Sequence, residues 1–438
     1  MGDQTRQREG SETYRILAEG KMMSNNTWKT GLNNNDLIIG TSGAGKTRSY
    51  VKPNILQCNE SIIVADTKNS LYRETMPALR NAGYEVWLLD LTDMEHSPVG
   101  YNPLEAIRYD EANDEYNEQD IAAIATSLCP AESKEDPFWD YATRLQMEAL
   151  IAYVMEALPP QEQNLQSVSK LQGIMHTDDC DNLFKELETL RKNSIAIRKW
   201  NLFANAREAE KTNSCIRLML GERLNPFVSR GVQEMMRRKI MVDFKKMGQQ
   251  KTALLINISD MDRSQDKLVN ILYTQALQTL VRYADKECQG NRLPVPVRLI
   301  FDDFATNTVI PDFDKIISVI RSREIYVSII IQSLTQLYSM YEMPRAQTIV
   351  NNCDNLLYLG GQDVETAKYI GVKANRTPNT ILNMPVGEAI LFTRGQKPCN
   401  VQKYNASHYE WAESLLDVDE IPWEEYEQME ELDWESVL

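Results

Sequence analysis

The stretch Asp36-Leu37-Ile38-Ile39-Gly40-Thr41-Ser42-Gly43-Ala44-Gly45-Lys46-Thr47 decides the reading of this chain. A short apolar run of strand character enters a glycine-rich loop of the pattern G-x-x-x-x-G-K-[ST], and a helix-length stretch from Lys46 to Gln57 leaves it. Strand, loop and helix in that order give the pattern its chemical meaning. The glycines let successive backbone N–H groups turn toward one anion, and the helix N-terminus adds a favourable dipole. Lys46 then neutralises terminal phosphates and Thr47 offers a hydroxyl to Mg²⁺. All eight residues, Gly40, Thr41, Ser42, Gly43, Ala44, Gly45, Lys46 and Thr47, are therefore expected to bind nucleotide, and ATP hydrolysis is the expected activity.

Working outward, Ser61-Ile62-Ile63-Val64-Ala65 and Glu85-Val86-Trp87-Leu88-Leu89 repeat the short apolar run, with Ser70 to Asn81 as a helix-length spacer. Continuous apolar character suits parallel strands buried on both faces. From about Tyr109 to Glu222 apolar residues recur at helical spacing, and no proline occurs between Pro160 and Pro226. Asp136-Pro137 offers an N-cap followed by proline at the first helical position, opening a long helix toward Met155. Strand-like runs then resume at Thr252–Ile258, Val297–Phe301, Tyr326–Ile331, Asn355–Leu359 and Glu388–Phe392. The expected fold is α/β, a RecA-like P-loop domain with a central, mostly parallel sheet and an inserted all-α domain. Its expected divisions are 1–108 (N-terminal segment and first part of the nucleotide-binding domain), 109–222 (helical insertion), 223–407 (second part) and 408–438 (an acidic tail carrying aromatic residues).

Composition narrows the function classes. At 438 residues, 42% hydrophobic and 25% charged, the chain reads as globular, with room for more than one core. Seven scattered cysteines without Cys-x-x-Cys spacing, and three histidines, give no zinc or disulfide framework. No apolar run approaches the roughly 20 residues of a membrane span. The net charge of -16 is concentrated at the end, where twelve carboxylates and no Lys or Arg follow Lys403. Global acidity therefore does not exclude nucleic acid as a partner.

Hydrolysis needs more than a phosphate cradle. The run Val297-Arg298-Leu299-Ile300-Phe301 ends in Asp302-Asp303, and a carboxylate at the end of a neighbouring strand is where the metal is held. Asp302 is assigned to Mg²⁺ through its water shell, and Asp303 to polarising the attacking water; in isolation such a pair is a solvated turn. Arg321-Ser322-Arg323 and Gln332 follow. An arginine given across a subunit boundary, and a glutamine at a neighbouring strand end, are what a ring ATPase requires around the γ-phosphate. The plain alternatives are a solvated basic face and a strand terminus. Asp66-Thr67-Lys68-Asn69-Ser70 reads equally as a functional turn or as an ordinary strand-to-helix connection.

Together these pieces resemble the TraG-type coupling proteins of type IV secretion and conjugation, over roughly residues 12 to 405. The resemblance rests on Asn33-Asn34-Asn35, the P-loop, Val51-Lys52-Pro53-Asn54, Asp66 to Lys68, Tyr101-Asn102-Pro103-Leu104, Asp136-Pro137-Phe138-Trp139, Asp302-Asp303-Phe304-Ala305, Arg321-Ser322-Arg323, Gln332, Gly387-Glu388-Ala389 and Arg394-Gly395-Gln396-Lys397-Pro398. It implies a hexameric ATPase using ATP and Mg²⁺ that delivers relaxase-bound single-stranded DNA, and possibly protein, to a type IV secretion channel. The helical segment would help engage substrate. Arg321 would be the arginine finger and Gln332 the sensor. The family usually has Asp-Glu where Asp302-Asp303 stands, and Asp-Pro-Lys-Gly-Glu where Asp66 to Ser70 stands. It also usually carries N-terminal membrane helices, which are not seen here. A missing anchor or a separate membrane subunit would then hold the protein at the inner face of the bacterial membrane. Two other readings stay open: a nucleotide-dependent docking platform with little hydrolysis, and a P-loop phosphotransferase.

Overall fold

The computed structural model describes residues 12–405, apart from 68–69, 131–136, 176, 204–209, 260, 263 and 303–308. Lys68, Asp136, Asp303, Phe304, Ala305 and the tail 408–438 thus lie outside the described residues. A hairpin of β1 (Tyr14–Ala18) and β2 (Lys21–Ser24) comes first. β3 (Asp36–Ile39), β4 (Ser61–Asp66) and β5 (Glu85–Asp90) follow, then a two-residue hairpin of β6 (Tyr109–Asp110) and β7 (Glu115–Tyr116). Beyond the helices come β8 (Thr252–Asn257), β9 (Val297–Phe301), β10 (Ile325–Ile331), β11 (Asn355–Tyr358), β12 (Glu388–Thr393) and β13 (Cys399–Gln402).

Among the described residues the main sheet has nine strands in the order β13-β12-β11-β3-β10-β9-β4-β8-β5. The seven from β11 to β5 are parallel, and β12 and β13 close one edge antiparallel. This is a RecA-like P-loop fold with a mostly parallel sheet, as the apolar runs predict. Strand alternation divides the apolar residues between two faces. Leu37, Ile39, Ile63, Leu299 and Phe301 join the larger core on one side, while Ile38, Ile62, Val64 and Ile300 join Tyr50, Val51 and Ile55 on the other. Burial on both faces explains why these strands show no polar alternation.

Between β7 and β8 the described elements are helices and short turns. At the centre of the helical segment lies Pro137–Ala157, buried continuously from Leu145 to Met155. A helix apolar all round must be surrounded, and Glu118–Leu128, Leu165–Gly173, Ile195–Leu202 and Glu210–Leu224 pack against it. Phe184 and Trp200 stack with ring centroids 4.0 Å apart. Lys199 bridges Glu118 and Glu148, each at 2.7 Å.

Gly100 sits where two segments of backbone approach closely. Its N–H donates to Ile240 O at 2.8 Å, and Val242 N–H donates to Gly100 O at 2.9 Å. A Cβ there would lie 2.3 Å from Met235 O and 2.6 Å from Met241 Sδ. Gly100→Ala is therefore expected to cost about 1–3 kcal/mol through overpacking, read as a lower urea midpoint at unchanged slope. An unchanged midpoint would mean that the two segments can separate freely.

Candidate nucleotide site

The loop after β3 lies between the two strands that flank β3. Gly40 N–H donates to Ile331 O at 3.0 Å and Thr41 N–H to Gly360 O at 3.1 Å, tying the loop to the ends of β10 and β11. Gly43 (φ +76°) and Gly45 (φ +88°) take left-handed backbone conformations that a side chain would strain. The helix that follows opens with a widened turn, in which Lys52 N–H donates to Thr47 O five residues back. Pro53 accounts for the widening: it lacks an N–H and its ring crowds the carbonyl four residues earlier.

Lys46 is buried, and its Nζ donates to Gly40 O at 3.0 Å and Thr41 O at 3.4 Å. The ammonium thus lies across the mouth of the loop. Thr47 Oγ1 donates to Asp302 Oδ2 at 2.8 Å. That bond joins the P-loop helix to the end of β9 across the intervening β10. Gln332 directly follows β10, between the two, with its backbone N–H donating to Gln336 Oε1 at 3.1 Å. Lys46, Thr47, Asp302 and Gln332 are therefore collected at one end of three adjacent strands, where open parallel sheets bind their ligands. A hydroxyl and a carboxylate in contact, beside an ammonium and a loop with two left-handed glycines, suit a phosphate-bound Mg²⁺, which takes oxygen ligands from one or two carboxylates and the phosphates themselves.

Arg321 is placed elsewhere. It lies in the turn Ile320–Arg323 ahead of β10, and its Nη2 donates to Thr27 O at 3.2 Å. The seven-residue strand β10 separates it from Gln332, about 20 Å along the strand axis. The two residues occupy opposite ends of the sheet. Arg323 beside it is held by Asp285 through two bonds of 3.0 and 3.1 Å. Asp66 caps a helix: its Oδ2 accepts from Leu71 N at 2.6 Å.

Three features that bear on the site have no local sequence signal. Lys403, just past β13, donates from Nζ to Ala44 O at 3.1 Å within the P-loop, and burial lowers its pKa. Tyr273, buried in the helix Asp266–Glu287, sets its ring edge-on against Phe301 at 4.8 Å; burial, and then the charge of Asp302, push its hydroxyl up.

The third lies at the far end of β3, where Asp36 is enclosed by partners. Arg15 grips it with two bonds of 2.7 and 3.1 Å, Tyr50 Oη donates at 2.6 Å and Asn355 Nδ2 at 2.9 Å. Arg298 Nη1 approaches to 3.7 Å, while its Nε donates to Glu60. Burial alone would raise the Asp36 carboxyl, but Arg15 and Arg298 outweigh it and hold the group below its usual range. Tyr50 lies in the widened turn after the P-loop, so this network anchors the loop's helix from below. The Asn33-Asn34-Asn35 run serves the same end: Asn34 Oδ1 accepts from Arg15 at 2.8 Å, and Asn33 and Asn35 both donate to Asn352 O.

Comparison with known proteins agrees with this architecture. The plasmid coupling protein TrwB in complex with ADP and Mg²⁺ superposes with a TM-score of 0.68 at 17% identity, covering 91% of this chain and 90% of that one. TrwB with the GTP analogue GDPNP gives 0.68 at 17%, covering 91% and 92%. VirB4 of Thermoanaerobacter pseudethanolicus gives 0.55 at 14%, covering 90% and 97%. At these identities the likeness is one of fold. No curated protein matches the sequence significantly. The profile of one family, described as "Type IV secretory system Conjugative DNA transfer", matches residues 4–374, and with most of its length inside that match the chain belongs to this family.

Proposed function

We propose that the chain is the ATP-driven coupling protein of a conjugative system, binding ATP with Mg²⁺ and passing relaxase-bound single-stranded DNA to a type IV secretion channel. The observation that carries this reading is the meeting of Lys46, Thr47, Asp302 and Gln332 at one end of β3, β10 and β9. Mg²⁺ supplies charge neutralisation on the phosphate oxygens. The ammonium of Lys46 leaves the loop carbonyls for the terminal phosphates, and Thr47 and Asp302 orient the metal's oxygen shell. Gln332 contacts the γ-phosphate or the attacking water, and Asp303 polarises that water. Arg321 serves the nucleotide of a neighbouring subunit, since its own P-loop lies across the sheet. The helical segment from about 109 to 222 takes part in engaging substrate, and a membrane anchor or membrane subunit together with channel components positions a ring of six.

The direct test measures mass and ATPase rate with and without single-stranded DNA. Assembly on DNA with a rise in rate is expected. DNA-independent turnover at every protein concentration would sink the motor. A mixing experiment tests the shared site. Lys46→Ala and Arg321→Ala are each expected to be nearly inactive. Mixed one to one, they should recover about a quarter of parental turnover, because random assembly pairs an intact loop with an intact arginine at about one interface in four. Additive, unrecovered rates would mean that Arg321 does not serve a neighbour's nucleotide.

A further inference from the structure

Trp28 has the most exposed aromatic ring among the described residues, at 73%. It lies in the single turn Thr27–Thr30, which Asn26 caps through bonds to Trp28 N and Lys29 N, both 3.1 Å. Arginines from distant elements converge on this turn, Arg292 and Arg321 at its first two residues and Arg394 at its capping residue, where it donates to Gly31 O at 2.7 Å. Arg321 donates to Thr27 O, and the Arg292 guanidinium stands 4.4 Å from the centre of the Trp28 ring. Arg292 is in turn steered by Glu324 at 3.7 Å, at the foot of β10. Lys29 is occupied by Glu12 at 2.8 Å and Arg394 by Asp354 at 3.0 Å, while Arg292 and Arg321 stand at Trp28 and Thr27 themselves. A tryptophan left mostly in water beside a half-buried guanidinium forms an anchor that resembles interface hot spots more than a core.

From this placement we infer that Trp28 and Arg292 form, with Arg321, the face of one subunit that seats against the nucleotide-bearing edge of the next copy of this chain. The inference rests on the proposed role of Arg321 in trans and adds the residues that hold it there. Because Arg321 is fastened to the backbone of residue 27, an arginine that reaches a neighbour's phosphates carries the Trp28 ring into the same interface. Charge favours that occupant: two guanidiniums meet a loop built for phosphate, beside which Thr47 holds the Asp302 carboxylate. Trp28 thus acts in assembly and leaves the reacting atoms to the P-loop side.

The test uses the full chain and follows ATPase rate per subunit against protein concentration. Trp28→Ala is expected to raise the concentration of half-maximal turnover at least about tenfold, with the plateau within about twofold and binding of a fluorescent ATP analogue unchanged. Such contacts change association far more than the chemistry beyond them. Trp28→Phe should restore much of the shift. Because the ring is exposed, the thermal midpoint should stay within about 2 °C, which separates assembly from folding. A Trp28→Ala curve lying on the parental one would overturn the inference, as would a lower plateau at an unchanged midpoint. Failure of the underlying reading looks different: parental turnover would not depend on concentration, and Arg321→Ala would be fully active. Sedimentation of parent and Trp28→Ala with nucleotide then decides the inference alone, through loss or persistence of self-association.

Discussion

Lys46→Ala should reduce ATP turnover by about 10²–10³-fold, some 3–4 kcal/mol of transition-state stabilisation. The ammonium is buried at the mouth of the loop and held by neutral carbonyls of Gly40 and Thr41. Charge-assisted bonds to phosphate oxygens are about twice as strong as neutral ones, so those carbonyls compete weakly for it. Alanine removes both the charge and the reach, and Lys403 is no substitute, being directed at the carbonyl of Ala44. Lys46→Arg should recover little, because a planar fork does not fit a pocket shaped for a point charge. Single-turnover assays beside a thermal melt provide the check. A melt within a few degrees of parent with turnover lost is expected; turnover retained in a folded variant would remove the P-loop from the mechanism.

The second large effect concerns stability. Asp36→Ala is expected to cost about 3–5 kcal/mol, the range for breaking a buried ion pair from one side. It would leave Arg15 and Arg298 facing each other without their shared carboxylate, and Tyr50 and Asn355 without an acceptor. Because the folded-state carboxyl is held below its unfolded value, its stabilisation is complete above the ordinary carboxylate range and lost as pH falls through the lowered value. Parent and variant should therefore differ most near neutrality and converge in acid. Urea midpoints from pH 7 into acid well below the ordinary carboxylate range measure this, and a difference that stays constant throughout would show that Asp36 acts through shape rather than charge. Slower nucleotide binding should accompany the loss, since Tyr50 stands on the helix that carries Thr47.

Much of this molecule was legible in its residues because buried parallel strands speak plainly. The apolar runs around Leu37, Ile63, Leu88, Leu255, Ile300, Ile329, Leu357 and Ile390 each became a strand of the main sheet. The strands without that signal are those with an open face or edge. β2 reads Lys21-Met22-Met23-Ser24 and is half exposed, β13 has one buried residue, and β6 and β7 are two residues each. At the site, motif spacing pointed to Lys46, Thr47 and Asp302, whose contacts are fixed by the fold's strand order. Lys403 could not be found in this way, because only the edge pairing of β12 with β13 brings it to the loop. Arg15 was also hidden: a lone arginine within the short run Tyr14-Arg15-Ile16-Leu17-Ala18 gives no hint that it will be buried against Asp36.

β3 has a consequence for how the protein is made. It pairs with β10 and β11, whose residues are synthesised some 290 and 320 positions later. At ribosomal speeds of about 5–20 residues per second, the loop's own strand waits on the order of 15–60 s for either neighbour. Throughout that interval Leu37, Ile38 and Ile39 have no sheet to enter, while the compact helices between residues 118 and 224 are already free to fold. The nucleotide loop is thus among the first parts of the chain to leave the ribosome and among the last to take shape.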